Sequence, residues 1–245
     1  MRSKLLPRQL LVLMDFTSAF LTPKIGHQSN HSVVQDCIVV MEYKNAEGQL
    51  QRVNFDFLCG CSETNTNDYH FLLHVWLALF QRLQLKGHFD CIDVWSDGGP
   101  HHFKTRYCQW MWHFLSTHRF NNKRISHHFF ASYHGHSLAD AHAASIKRLI
   151  RTEYNMSQLQ RFDTTLLAIY WGPEDAVQLG GLLKKCSDTQ ICVFPHIDRD
   201  PALKPDPSKV HHIKRQHRFD YENGQCFCAE LSEGAFKKLV TFQLR

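Results

Sequence analysis

The segment FDCIDVWSDGGPHHFK, residues 89–104, decides the fold. A β-prone apolar run through Trp95 stops at the turn-forming residues 96–100 (SDGGP), and a helix-length segment, residues 103–115, follows. In α/β sheets, ligands bind in the crevice at the carboxyl ends of the strands, which makes Asp97 a candidate site residue. An Asp-Gly turn is the simpler explanation for Asp97 alone, but two further aspartates in similar contexts argue against it.

Composition indicates an ordinary soluble domain with a sizeable core, because 43% of the 245 residues are hydrophobic and 21% are charged. The net charge of +5 and the 18 histidines bias the chain toward polyanions. The nine cysteines show no regular spacing, which favours a reducing compartment. The apolar run at residues 10–14 is too short for a signal peptide, and no segment approaches the ~20 apolar residues of a membrane helix, so we expect no membrane contact.

Hydrophobic periodicity predicts an alternation of strands and helices along the first two thirds of the chain. Strands are predicted at residues 9–20, 32–43, 51–59, in the segment ending at Asp97 and at 125–132, and helices at 69–85, 103–115 and 138–154. Asp15 falls inside the first apolar strand, where a carboxylate has little reason to be except a site. Asp140 falls in the first turn of the last of these helices, where the helix dipole alone would also favour it.

The order of three antiparallel strands, helix, strand, helix, strand and helix resembles the ribonuclease H-like fold. That fold is α/β, a mixed five-stranded sheet with helices on both faces, and we expect residues 1–155 to form such a catalytic domain. The resemblance implies that the first and fourth strands end side by side. Asp15 would then face Asp97, and Asp140 would join them from the following helix.

Three motifs carry a resemblance to a family: DFT at Asp15, WSDGGPHHFK at Asp97 and HGHSLADAHAASIKR at Asp140. They resemble the catalytic domain of the DDE/DDD transposase and retroviral integrase superfamily, in particular eukaryotic transposon-derived sequences, over about residues 8–155. The 81 residues between the first two acids and the 42 between the last two lie within what that superfamily tolerates.

The resemblance implies a polynucleotidyl transferase that cleaves DNA and transfers strands with two Mg²⁺ or Mn²⁺ ions. Aspartates from separate elements can supply the hard oxygen ligands that hold two such ions ~4 Å apart. In the family the first acid bridges both ions and the other two each bind one; these roles are carried to Asp15, Asp97 and Asp140. The implied partners are transposon ends and target DNA, the implied location is the nucleus, and assembly into a homo-oligomer stays open.

Two alternatives remain at this point. One is a catalytically silent nucleic-acid-binding module, a domesticated transposase, and the other is a metal-dependent nuclease without strand transfer. His136 stands where related sequences often have a Lys after the HG pair, so this chain departs from the pattern there.

Several basic residues are candidate DNA contacts: Lys104, His136, Lys147, Arg151, Lys214 and Arg215. Lys147 and Arg151 lie on the same helical stripe as Asp140, although they would also simply favour the negative end of that helix. Lys214 and Arg215 belong to a basic cluster that is either a phosphate-binding strand or a solvated edge.

The remainder of the chain is predicted as three segments: an extension of the core at residues 156–194, a proline-rich linker at 195–207 and a small β-rich C-terminal unit at 208–245. A zinc site assembled from the CxC pairs at 59–61 and 226–228 with His134 and His136 is a weaker alternative.

Overall fold

A computed structural model gives the fold of the chain. It describes residues 5–16, 33–61, 68–98, 102–130, 141–142, 144–145, 148, 190–194, 197, 213–230 and 238–240.

The described elements follow the predicted alternation of strands and helices. The strands are β1 (Gln9–Phe16), β2 (Val33–Lys44), β3 (Leu50–Cys61), β4 (Cys91–Ser96), β5 (Arg124–Phe129), β6 (Gln190–Phe194), β7 (Arg218–Glu222), β8 (Gln225–Ala229) and β9 (Lys238–Val240). The helices are α1 (Tyr69–Leu83), the single turn α2 (Leu85–His88) and α3 (Arg106–Phe114), with a π-turn at Leu115–Arg119 and a 3₁₀ turn at Ile213–Arg215. The predicted strands and the α1 helix are thereby confirmed, with ends that differ by a few residues.

The strands form one mixed sheet of order β6-β3-β2-β1-β4-β5-β7-β8-β9. Strands β1, β4 and β5 run parallel to one another, and β2 is antiparallel to both β1 and β3. The β2–β3 hairpin closes through a turn in which Asn45 Oδ1 accepts a hydrogen bond from Gln49 N at 2.8 Å. Gly48 adopts φ 77° in this turn, a left-handed conformation that glycine accepts without strain. The first five strands are therefore neighbours in the order 3-2-1-4-5.

One face of the sheet, called the core face here, is apolar and covered by α1 and α3. On β1 it carries Leu10, Val12 and Met14, all buried, since alternate residues of a strand point to the same side. Trp76 of α1 meets Trp112 of α3 edge to face, with ring centroids 4.9 Å apart. The buried residues of α1 recur at helical spacing: Tyr69, Phe71, Leu72, Val75, Trp76, Leu79 and Phe80.

The opposite face, called the polar face here, carries a small apolar cluster of Leu13, Ile38 and Val40 beside buried acids such as Asp36 and Asp56. Helical residues from the segment 141–148 lie on it, because His142 Nε2 is 3.2 Å from both carboxylate oxygens of Asp56. The described helices therefore contact both faces of the sheet. No helix in the described part of the chain is long and apolar enough to cross a membrane.

Helix α3 begins three residues later than the sequence predicts. Thr105 is the reason, since its hydroxyl accepts a hydrogen bond from Cys108 N at 3.1 Å and so caps the helix at this position. Phe103, which we expected inside the helix, lies in the preceding turn and is buried in the core.

The C-terminal strands differ most from expectation. We expected five strands and a small separate β unit at residues 208–245, but β7 pairs antiparallel with β5, and β8 and β9 extend the same sheet. Phe219 and Tyr221 of β7 are fully buried in the main core. Ile197, from the segment predicted as a linker, is also part of that core. Pairing with β7 removes an exposed edge that β5 would otherwise present.

Candidate functional site

The ends of β1 and β4 bring two of the predicted site residues together. The parallel register pairs Met14 with Ser96, and the next residues along the two strands are Asp15 and Asp97. Neighbouring strands are ~4.8 Å apart, so the two aspartates occupy adjacent strand ends. Asp15 is half-buried and Asp97 is exposed. The arrangement is a pair of carboxyl groups at the carboxyl edge of the sheet.

Two further aspartates lie near this pair. Asp15 is opposite Ile38 of β2, which is opposite Asp56 of β3, so Asp15 and Asp56 share a row on the polar face. Burial raises the pKa of the Cys37 thiol well above its usual value, and the charges of Asp36, Asp15 and Asp56 raise it further. Asp36 and Asp56 are each 0% exposed.

Sequence reasoning missed these two residues, although a signal was present. Asp36 and Asp56 interrupt apolar strands (VVQDCIVV and NFDFLC) in the same way as Asp15 does, and a carboxylate in such a strand is unusual. The fixed register of the β2–β3 hairpin then directs both to the polar face.

The segment that follows Asp140 is anchored beside these acids. His142 contacts both oxygens of the buried Asp56 at 3.2 Å, which anchors the helical residues 141 and 142 at β3. Asp140 itself lies outside the described residues, as do His136, Lys147 and Arg151, so their positions stay predictions.

Lys104 lies close to the acid pair but is not on the surface. Its Nζ donates a hydrogen bond to the Lys214 carbonyl oxygen at 2.9 Å and lies 4.7 Å above the centre of the Phe129 ring. Burial lowers the pKa of Lys104, an effect that the charge of Asp97 opposes. The side chain therefore ties the loop after β4 to the 3₁₀ turn, where Lys214 and Arg215 are exposed.

A buried polar pair supports the end of β4 from the core face. Ser96 Oγ and His127 Nε2 are 2.8 Å apart, and both residues are fully buried. Burial lowers the pKa of His127 well below 6.5, and the charges of His128 and Lys104 lower it further. His127 is therefore a neutral packing residue under the loop that carries Asp97.

Metal-ligand geometry is incomplete without Asp140. Within the described ranges, no three His, Cys, Asp or Glu side chains form a group that could hold a metal ion. The alternative zinc site does not assemble from both CxC pairs: β3, with Cys59, and β8, with Cys226, are six strand positions apart in the sheet, ~29 Å at the usual spacing.

Comparisons with known proteins give one match. No curated protein and no solved structure matches the chain. A family model described as "Domain of unknown function (DUF8701)" matches residues 1–172 of the 245, a range that includes β1–β5 and both acids of the pair. Since this match spans more than half of the chain, the protein belongs to the family described as Domain of unknown function (DUF8701).

Proposed function

We propose that the protein is a DDD-type, integrase-like enzyme that cleaves and joins DNA with divalent metal ions, on a ribonuclease H-like catalytic domain. The observation that carries the proposal is the pair of Asp15 and Asp97 at adjacent ends of the parallel strands β1 and β4. Two carboxyl groups at this edge are the start of a binding site for hard cations.

The sheet supports the ribonuclease H-like part of the proposal. Its first five strands are neighbours in the order 3-2-1-4-5, with β2 antiparallel to β1. This order puts the ends of the first and fourth strands side by side, as the resemblance implies. The helical residues that follow Asp140 in sequence contact the polar face, which carries Asp15.

The donor set fits Mg²⁺ or Mn²⁺. Asp15, Asp97 and Asp140 would supply only carboxylate oxygens, which these ions prefer. The buried Asp36 and Asp56 add negative charge near Asp15, and a divalent cation would offset it. When bound, a pair of such ions would activate the water or hydroxyl oxygen that attacks a phosphodiester and would stabilise the leaving oxygen.

The protein's own residues would position these groups. Asp56 holds His142, which is two residues after Asp140 in the sequence. Lys104 and the Ser96–His127 pair hold the loop that carries Asp97. Given the burial of Lys104, we assign it this positioning role, and we assign contact with DNA phosphates to Lys214 and Arg215.

Four parts of the proposal rest on the resemblance alone. They are the DNA contacts of His136, Lys147 and Arg151, the nuclear location, the action on transposon ends and target DNA, and assembly into a homo-oligomer.

The test is Mg²⁺- or Mn²⁺-dependent cleavage and joining of DNA by purified protein. Asp15→Asn, Asp97→Asn and Asp140→Asn should each abolish activity and leave the fold intact. Asp90→Asn is the matched control, because Asp90 lies at the amino end of β4 and is an exposed partner of Arg8 at 2.7 Å. Such surface ion pairs contribute ~0–1 kcal/mol. Unchanged activity in the Asp97→Asn protein would contradict the proposal, and cleavage without joining would favour the nuclease.

A second candidate function is a silent DNA-binding module, which the exposed Lys214 and Arg215 favour. Lys214→Ala/Arg215→Ala should flatten the slope of log affinity against log salt by ~1.8, about 0.9 per phosphate contact. The control is Lys86→Ala/Arg119→Ala, which removes the same charge from exposed residues that precede β4 and β5, at the opposite end of these strands. It should leave the slope of log affinity against log salt unchanged. Wild-type protein that binds DNA but never cuts it with either metal would establish this module instead.

A further inference from the structure

Three aromatic side chains cluster beside the acid pair. The Trp95 and His128 rings are stacked, with centroids 4.6 Å apart and planes 9° apart. Phe130 packs against Trp95 at 5.5 Å with a tilt of 33°. The stack is rigid on one side, because His128 is only 8% exposed and its Nε2 is 3.9 Å from the half-buried Asp93.

The cluster lies on the polar face, next to both acids. The register pairs Leu13 with Trp95 and Trp95 with His128, so Trp95 lies on the polar face of β4, two residues before Asp97. Phe130 N donates to Ser96 O at 3.0 Å, which extends the β4–β5 ladder to Phe130. The aromatic rings therefore border the carboxyl edge at which Asp15 and Asp97 lie.

Packing does not account fully for Trp95. Trp76 and Trp112, on the helices that cover the core face, are fully buried, whereas Trp95 and Phe130 are only partly buried. An indole ring that is backed by another ring and keeps exposed surface can accept a further planar group.

A basic segment lies beside the end of β5. His217 O accepts a hydrogen bond from Phe129 N at 3.0 Å, which brings the basic segment 213–218 to the end of β5. Lys214 and Arg215 of this segment are exposed, and Arg218 is opposite His128. The start of β7 is three strand positions from β1, ~14 Å.

We propose that this surface is a subsite for an unpaired nucleotide of a DNA strand. The base stacks on Trp95 and Phe130, and Lys214 and Arg215 contact the phosphates that follow. Aromatic platforms beside cationic side chains bind single strands because every base has a π-face, whereas a paired base is stacked inside the duplex and unavailable. The ligand class rests on the proposed function; the subsite itself is tested by binding alone.

The experiment measures binding of a fluorescent single-stranded oligothymidylate in EDTA, which separates binding from any metal-dependent chemistry. Trp95→Leu should weaken binding about tenfold, and Trp95→Phe, which keeps a ring, should restore most of the affinity. Trp110→Leu is the matched control, since Trp110 is also half-buried and stacked, on Phe114 at 5.4 Å, but lies on α3. The Trp110→Leu protein should bind the oligothymidylate with wild-type affinity. The affinities of all the variants for duplex DNA should be similar.

A photocrosslink tests the subsite without any substitution. An oligonucleotide with 5-iodouracil, irradiated on wild-type protein, should crosslink to Trp95 or Phe130, as mass spectrometry of the peptides would show. Absence of single-strand binding by the wild type, equal affinities of the Trp95→Leu and Trp110→Leu proteins, or crosslinks confined to other residues would overturn the subsite. A positive crosslink with inactive protein would keep the subsite and reject the proposed chemistry.

Discussion

The two faces of the sheet bury different kinds of side chain. The core face buries hydrophobic groups such as Met14, Val39 and Phe55, and two helices cover it. The polar face buries Asp36, Asp56 and Asp220, each 0% exposed. Burying a carboxylate is costly unless it is paired, so each buried acid of the polar face requires a compensating group. The difference indicates that the core face holds the fold together and that the polar face has another role.

The polar face itself divides into two parts. Away from the carboxyl edge, acids have arginine partners: Asp220 is 2.8 Å from Arg218, and Glu42 is 2.7 Å from Arg52. At the edge, the buried Asp56 contacts a histidine instead, His142 at 3.2 Å. An acid with an arginine partner is electrostatically compensated in the fold, which distinguishes Asp220 and Glu42 from Asp56.

The largest effect on folding stability should come from removing the C-terminal strands, because they contribute residues to both faces of the sheet. Removal of residues 213–245 takes away β7–β9 and with them the buried Phe219 and Tyr221. We expect loss of the cooperative unfolding transition in circular dichroism, whereas removal of residues 241–245 should preserve it. The sequence alone suggested a separate β-rich unit after a linker, and a truncated protein that folds would restore that interpretation.

A core-face substitution should cost stability. Trp112→Ala removes a fully buried ring that meets Trp76 at 4.9 Å, and such truncations cost ~3–5 kcal/mol of unfolding free energy. Chemical denaturation would measure the loss, with Trp110→Ala as the control of smaller effect, since Trp110 is half-buried. A Trp112→Ala protein as stable as Asp97→Asn would contradict the division of roles between the faces.

A smaller effect concerns His127, a polar residue on the core face. The pKa of His127 lies well below 6.5 in the fold and near 6.5 in the unfolded chain. At pH values between these two pKa values, the unfolded chain binds a proton that the folded chain does not. Stability should therefore fall as pH decreases below ~6.5, by up to ~1.4 kcal/mol per pH unit from this group. His127→Asn should remove that share of the slope of unfolding free energy against pH.

The control for this experiment is His118→Asn, because His118 is exposed in the π-turn. It should leave the slope unchanged. An equal slope in the wild-type and His127→Asn proteins would show that His127 is not held neutral by burial.

Strong local patterns could be predicted from the sequence, and long-range pairing could not. The apolar runs around Asp15 and Asp97 predict the β1 and β4 strands, and helical spacing predicts α1. The pairing of β7 with β5 joins segments about 90 residues apart, and no local pattern encodes it. The linker prediction for residues 195–207 rested on a local signal too, the prolines. Prolines indicate extended chain, but they do not indicate whether a residue such as Ile197 is buried.

The candidate site was predictable only in part. Asp15 and Asp97 were identified because each follows or interrupts a buried strand. Asp56 and its contact with His142 depend on the hairpin register and on packing across the polar face. The burial of Lys104 was not predictable either, since it depends on the carbonyl oxygen of Lys214, 110 residues away in the chain.

Divalent-metal binding tests the central claim, that Asp15 and Asp97 form a metal site at the edge of the polar face. Titration of the protein with Mn²⁺, followed by electron paramagnetic resonance of the free ion, measures it without DNA or turnover. We expect about two ions per wild-type chain, weaker or fewer ions in the Asp15→Asn and Asp97→Asn proteins, and wild-type binding in Asp90→Asn. Binding that is the same in all four proteins would contradict the account.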